Sequence, residues 1–184
     1  SLIAFNDDDN GRREFTIKIL NSDYELLDDE ISKTSYGIFW SSDNRFIIYL
    51  KKDPITLIAN QVYVHEVGTT QDEDILIYKE DDPEFNINLG QSRTDKYIYI
   101  DTAKTNSNEI RLIDSANPKA EPKIAIDRGE DHLYTLEHAN DGSFYVRSNL
   151  NAPNYKIYKA FNIDSLNESL DEIAAHNPDV FISD

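Results

Sequence analysis

The feature that most constrains this chain is a pattern that returns about every 48 residues. GIFWSSDNRFIIYL from Gly37, FNINLGQSRTDKYIYI from Phe85 and LYTLEHANDGSFYVRS from Leu133 share one layout. Each holds an alternating apolar stretch, a polar turn and a second alternating stretch. The turns are Ser42-Asp43-Asn44, Thr94-Asp95-Lys96 and Asn140-Asp141-Gly142, built from residues that tolerate the left-handed backbone of tight hairpins.

A third stretch follows each pair: QVYVHEV from Gln61, EIRLIDS from Glu109 and YKIYKAF from Tyr155. A fourth comes next, as DILIYKE from Asp74, KIAID from Lys123 and DEIAA from Asp171. Alternation with β-branched and aromatic enrichment marks half-buried strands; in EIRLIDS, Ile110 and Leu112 share one face, Arg111 and Ile113 the other. Four strands per repeat without an intervening helix predicts an all-β fold, part of a β-propeller with four-stranded antiparallel blades. The expected bounds are 1–33 for an incomplete blade, 34–80, 81–128 and 129–175 for three complete blades, and 176–184 for the first strand of another.

In the leading piece, SLIAF, EFTIKIL and YELL read as second, third and fourth strands, and VFISD at the far end as an opening strand. The chain, which lacks Met even at position 1, is therefore expected to be a piece of a longer protein. An open arc leaves edges uncovered, so either the rest of the ring lies elsewhere in the longer protein, or the arc closes by an unusual route: VFISD pairs with SLIAF, or two arcs associate. Ser165-Leu166-Asn167-Glu168 matches a capping box, with Leu166, Leu170 and Ile173 near helical spacing, and predicts a short helix before the last fourth strand.

The formal net charge of −17 argues against a nucleic-acid partner. It suits a solvated acidic surface, or attraction of basic peptides if carboxylates line the tunnel or an inter-domain cleft. No stretch approaches the roughly 20 apolar residues that span a membrane, and the acidic opening lacks the basic start of a signal peptide. Zero Cys excludes disulfides and thiolate zinc sites and fits a cytoplasmic location.

The six glycines never lie within ten residues of each other, so the hydrolase nucleophile elbow, the P-loop and the dinucleotide fingerprint have no match. His65, His132, His138 and His176 are scattered, with no His-Glu-x-x-His pair. His132 and His138 should share a face in a structural or surface role, and His65 should face a neighbouring blade or solvent. In the acidic run Asn6-Asp7-Asp8-Asp9-Asn10-Gly11, calcium-loop register puts Ile17 where a bidentate Glu is required, so a hairpin loop is the expectation. Tyr97, Tyr99, Phe144 and Tyr145 read as packing between blades, and Trp40 as packing or tunnel lining. The residues therefore nominate no catalytic, cofactor-binding or metal site and no cofactor.

The stretch from Tyr36 through QVYVHEVGTTQDEDILIYKE to Ile100, with EIRLIDSANPKAEPKIAI and EDHLYTLEHANDGSFYVRSN after it, resembles the propeller of the oligopeptidase B branch of the prolyl oligopeptidase family of serine peptidases. The resemblance runs from SLIAF to about residue 162 and is looser beyond. It implies a seven-bladed propeller over an α/β-hydrolase domain that carries the Ser-Asp-His triad and cuts short peptides after Lys or Arg. The expected role is a catalytically silent, access-controlling module, with that C-terminal domain and short basic peptides as partners. A stand-alone protein-binding propeller is the alternative.

Overall fold

The computed structural model describes residues 2–9 and 11–183. Four antiparallel blades follow one another along the chain. The first holds β1 (Ile3–Asp7), β2 (Phe15–Leu20) and the start of β3 (Leu26–Trp40). The second holds the end of β3, β4 (Phe46–Lys52), β5 (Ala59–Glu66) and β6 (Ile75–Lys79). In the third lie β7 (Asn86–Gln91), β8 (Tyr97–Lys104), β9 (Ser107–Asp114) and β10 (Lys123–Ile124). The fourth has β11 (Tyr134–His138), β12 (Phe144–Ser148), β13 (Lys156–Ala160), a single-turn helix α1 (Ser165–Glu168) and β14 (Asp171–Ala174). The chain is part of a β-propeller, an arc whose sheets do not close.

Between the first two blades there is no loop. β3 pairs with β2 through Leu26↔Leu20 and Ile31↔Ile17, then with β4 through Ile38↔Tyr49 and Trp40↔Ile47, so six strands form one sheet. The change of partner falls at Thr34, which pairs with both Phe15 and Lys51. Left-handed residues flank it, Lys33 at φ 58° and Gly37 at φ 100°. The strand starts later than YELL: Tyr24 has φ 62° and closes the turn in which Asn21 O accepts from Tyr24 N and Asn21 N donates to Glu25 O, so β3 begins at Leu26.

Within each repeat the polar turns supply the left-handed residues, at Asn44, Asp95 and Gly142. Ser41 Oγ accepts from Phe46 N (3.0 Å) and donates to Asp43 (2.6 Å), closing the turn. Bonds from Ser143, with the Lys159 ammonium, hold the Asp141 carboxyl down at about 2.

The core lies between the blades, and the central strands β4 and β8 are buried on both faces. On β4, Ile47 and Tyr49 meet Ile17, Ile19 and Ile31 of the first blade, while Ile48 and Leu50 meet Ile98 and Ile100 of the third. This is why FIIYL is an unbroken apolar run. On β8 the opposite parity, Tyr97 and Tyr99, packs against Tyr134, Phe144 and Val146 of the fourth blade. Each fully buried Ile or Leu contributes about 1.5–3 kcal/mol, so these aliphatic seams supply most of the adhesion between blades. Trp40 packs in the first seam. Tyr145 lies on the other face of β12, beside Lys159, where no further blade is among the described residues.

β10 is shorter than KIAID because Tyr134 enters its ladder. The buried Tyr134 hydroxyl accepts from Ile110 N (2.7 Å) and donates to Ile126 O (3.0 Å), replacing the next direct rung. α1 begins at Ser165 with Asp164 as its cap and buries Leu166, so Ser165 is its first residue rather than the cap. Val180–Ser183 form no strand: Ile182 N donates to Asn154 O (3.0 Å) and Ile182 O accepts from Arg147 Nε (2.8 Å), which folds the segment onto the β12–β13 loop. It therefore does not pair with β1; Ser1 and Asp184 of those two motifs lie outside the described residues.

Antiparallel alternation fixes where the connections lie. Links from first to second and third to fourth strands sit at one end of the blades, the turn end. Links from second to third strands, and from one blade to the next, sit at the other, the crossover end.

Candidate functional site

The polar residues that sequence spacing left scattered are gathered into the seams. His65 leaves β5 toward the first blade, with 1% of its surface exposed. Its Nδ1 lies 2.7 Å from Asp74 Oδ1 and its Nε2 lies 3.1 Å from Asp29 Oδ1. Asp29 comes from β3; Asp74 follows the 3-10 turn Gln71–Glu73. Tyr49 donates to Asp74 Oδ2 (2.7 Å) and Gly68 N to Asp29 Oδ1 (2.5 Å). A neutral imidazole has one N–H, yet both ring nitrogens face carboxylate oxygens, so the arrangement calls for imidazolium. Burial pulls the His65 pKa down, but the bonds and charges of Asp74 and Asp29 outweigh it and the net shift is upward. Beside this pair, Gln71 Oε1 accepts from Ser32 N (3.1 Å) and Gln71 Nε2 donates to Ser32 O (3.0 Å). The group joins two blades, and with both imidazole nitrogens engaged it offers no lone pair to act as a base.

A second group lies at the crossover end, where the second, third and fourth blades meet. Arg128 Nη2 donates to Glu80 Oε2 (2.7 Å) and Thr102 Oγ1 (3.0 Å), and the guanidinium lies 3.8 Å from the Phe85 ring centre. Tyr78 donates to Glu80 Oε2 (2.8 Å) and Asp82 N to Glu80 Oε1 (3.0 Å). Arg111 pairs with Glu109 (2.8 Å). Burial alone raises the Glu80 pKa, but the bond from Arg128, with those from Asp82 N and Tyr78, carries it below the usual carboxylate range. Above the group opens a cleft of about 510 Å³, with Lys104, Asn106, Asp131 and Arg128 in its wall.

The other histidines do not converge. His132 Nε2 meets Ser148 Oγ (2.8 Å) and His138 Nδ1 meets Thr94 Oγ1 (2.6 Å), and burial lowers both pKa values. In the β1–β2 loop the two Asp8 oxygens accept from Gly11 N (2.8 Å) and Arg13 N (3.0 Å), as a hairpin loop requires; Asn10 lies outside the described residues. Among the described residues no group of three or more His, Cys, Asp or Glu side chains is disposed to hold a metal ion. The inner strands are poor in charge: β7 and β11 present free backbone edges, with exposed Asn86, Asn88 and Gln91 and the carboxylate Glu137.

The whole chain, residues 1–184, matches the model of the prolyl oligopeptidase N-terminal beta-propeller domain. The chain belongs to the prolyl oligopeptidase family. One relative, dipeptidyl aminopeptidase BI of Pseudoxanthomonas mexicana, is 37% identical over 183 residues, covering 98% of this chain and 25% of its own length. Among solved structures of the family, oligopeptidase B from Leishmania major superposes with a TM-score of 0.90 at 26% identity, over 100% of this chain and 26% of that one. Oligopeptidase B from Trypanosoma brucei gives 0.87 at 23% identity, again over 100% and 26%, which speaks for the fold. The chain thus spans about a quarter of the length of these relatives. For a propeller segment of this family, polar groups that knit the blades together are what the geometry provides.

Proposed function

We propose that this chain is the non-catalytic, access-controlling propeller segment of a serine oligopeptidase that cuts short peptides after Lys or Arg. The observation that carries the reading is the family match over the whole chain, by a segment whose buried polar groups are used in holding blades together. Oligopeptidase B as the structural neighbour supports the preference for basic residues. The free edges of β7 and β11 support the access role, since they offer unpaired backbone groups along which an extended peptide can pass, with few charged side chains beside them.

The reading is tested on the parent protein with chromogenic peptides ending in Arg, Lys or Pro, and with a series of increasing length. Preference for Arg and Lys with a steep fall for long or folded substrates is expected. A preference for Pro, or equal turnover of folded proteins, would sink it. The isolated chain is expected to show no turnover. The 37% identical dipeptidyl aminopeptidase BI motivates a second reading: release of dipeptides from free amino ends. Blocking the substrate's amino group separates the two, because only the dipeptide-releasing activity is lost.

A further inference from the structure

The loop between β4 and β5 holds apolar side chains out into solvent with unusual firmness. Asp53 Oδ1 accepts from Ile55 N (2.9 Å), Thr56 N (2.8 Å) and Thr56 Oγ1 (3.2 Å). The backbone closes around it, Asp53 N donating to Ile58 O (2.8 Å) and Leu57 N to Asp53 O (2.9 Å). Bonds from Thr56 N and Ile55 N hold the Asp53 carboxyl below its ordinary value. Inside this clamp Leu57 is kept at φ 60°, a conformation that a residue with a side chain adopts only when its surroundings impose it. The result is a rigid knob on which Ile55 is 89% exposed and Leu57 59%. Tyr36, 64% exposed at the start of the second blade's inner strand, and Ile58 stand beside it around a cleft of about 350 Å³. No hairpin needs this: the loop between β8 and β9 is made by Thr105 and Asn106 alone.

The knob lies at the crossover end, not on a flank. The preceding and following blades cover flanks, so blades added to the arc would leave it in solvent. The topology says what would cover it. A polypeptide entering the first strand of any blade, or leaving its fourth, does so at the crossover end. A globular domain tethered to the propeller by those connections emerges there and is held at high effective concentration against that surface. The relatives are about four times as long as this chain, which leaves ample length for such a domain. Of the loop residues exposed at the turn end, Tyr24 and Phe161 sit on the first and fourth blades rather than together.

We infer that the Asp53–Ile58 loop, with Tyr36, is the apolar contact by which the propeller seats the catalytic domain of its own polypeptide. The inference rests on the reading of the parent as a serine oligopeptidase. Closing the two bodies buries Ile55 and Leu57, and the pre-formed loop lowers the entropy lost on docking. Opening exposes them again, so the knob sets how long the cleft stays shut.

The test uses the full-length parent. With p-benzoylphenylalanine in place of Ile55, irradiation is expected to give an intramolecular cross-link whose partner peptide maps to the catalytic domain. A cross-link between two copies, or none, would overturn the assignment. This readout needs no turnover, so it stays informative if the peptidase reading itself fails. In parallel, the double variant Ile55→Ser, Leu57→Ser should lower the closed-to-open ratio on the order of tenfold. That appears as a larger scattering radius and faster cleavage of long peptides relative to short ones. The control Tyr24→Ser, Phe161→Ser should leave both unchanged; an equal effect from the control would refute the placement.

Discussion

Replacing His65 with Gln removes the one cation from a buried site that holds two carboxylates, Asp29 and Asp74. Gln can donate to one of them but carries no charge. Removing one member of a buried ion pair costs about 3–5 kcal/mol, because the partner charge stays buried without compensation. For a chain of this size each kcal/mol moves Tm by about 2–4 °C, so a fall of about 6–20 °C is expected. The pH dependence has a definite sign. Because the folded His65 pKa lies above its unfolded value of about 6.5, its stabilising contribution is complete below that value. It is lost as pH rises through the folded pKa. The groups facing the ring from the packed elements are Asp29 on β3, Asp74 before β6 and, through Asp74, Tyr49 on β4, whose hydroxyl burial keeps protonated. The Tm gap between wild type and His65→Gln, followed by circular dichroism from pH 6 to 9, should therefore narrow toward high pH. Long-range nitrogen–proton NMR should find both imidazole nitrogens protonated at pH 6. A neutral tautomer at that pH, or a gap that widens as pH rises, would refute the reasoning.

Tyr134→Phe leaves Ile110 N and Ile126 O without their shared hydroxyl and should cost about 1–3 kcal/mol, read by denaturant titration, with amide exchange speeding first along β9 and β10. Glu80→Gln takes away the nearer of the two carboxylates that Arg128 faces, at 2.7 Å against 3.9 Å for Glu109. Because the folded Glu80 pKa is lowered, the contribution is present above the unfolded value of about 4.3 and lost as pH falls through the folded one, so the variant's stability deficit should vanish in acid. Asp53→Ala frees the β4–β5 loop, and limited proteolysis should cut there first while global Tm barely moves. On the outward face of the first blade, Ile3, Phe5 and Leu26 are exposed, so the isolated arc is expected to associate as concentration rises; light scattering that finds only monomer at high concentration would count against it.

How much of this was legible depended on whether the information was local. The strand pattern is local: FIIYL and KYIYI became β4 and β8, buried continuously because blades pack on both faces, and SFYVRS became β12, whose burial alternates because one face meets the third blade. Parity also carried a usable hint: Tyr63 and His65 fall on the face of β5 opposite Val62 and Val64, so His65 was bound to meet the first blade. Its partners were not legible, since Asp29 and Asp74 stand 36 and 9 residues away and only blade stacking brings them together. Leu26–Trp40 was harder still, because Lys33 and Gly37 look like a loop and are instead the two swivels of one strand. VFISD shows the reverse: its pattern suits a first strand, but a strand needs a second beside it, and among the described residues Asn154 and Arg147 take up its backbone.

The loopless passage of β3 from one blade to the next has a consequence for how such a sequence can change. Most junctions in this arc contain residues that could lengthen or shorten without moving a ladder. At Thr34 a single residue pairs on both sides, so one inserted residue would throw one of the two registers out of phase and turn its inward side chains outward. Grafts, circular permutations and domain insertions should therefore succeed at the exposed Pro83–Glu84 or Glu130–Asp131 and fail between Glu30 and Ile38, where two blades are mechanically one piece.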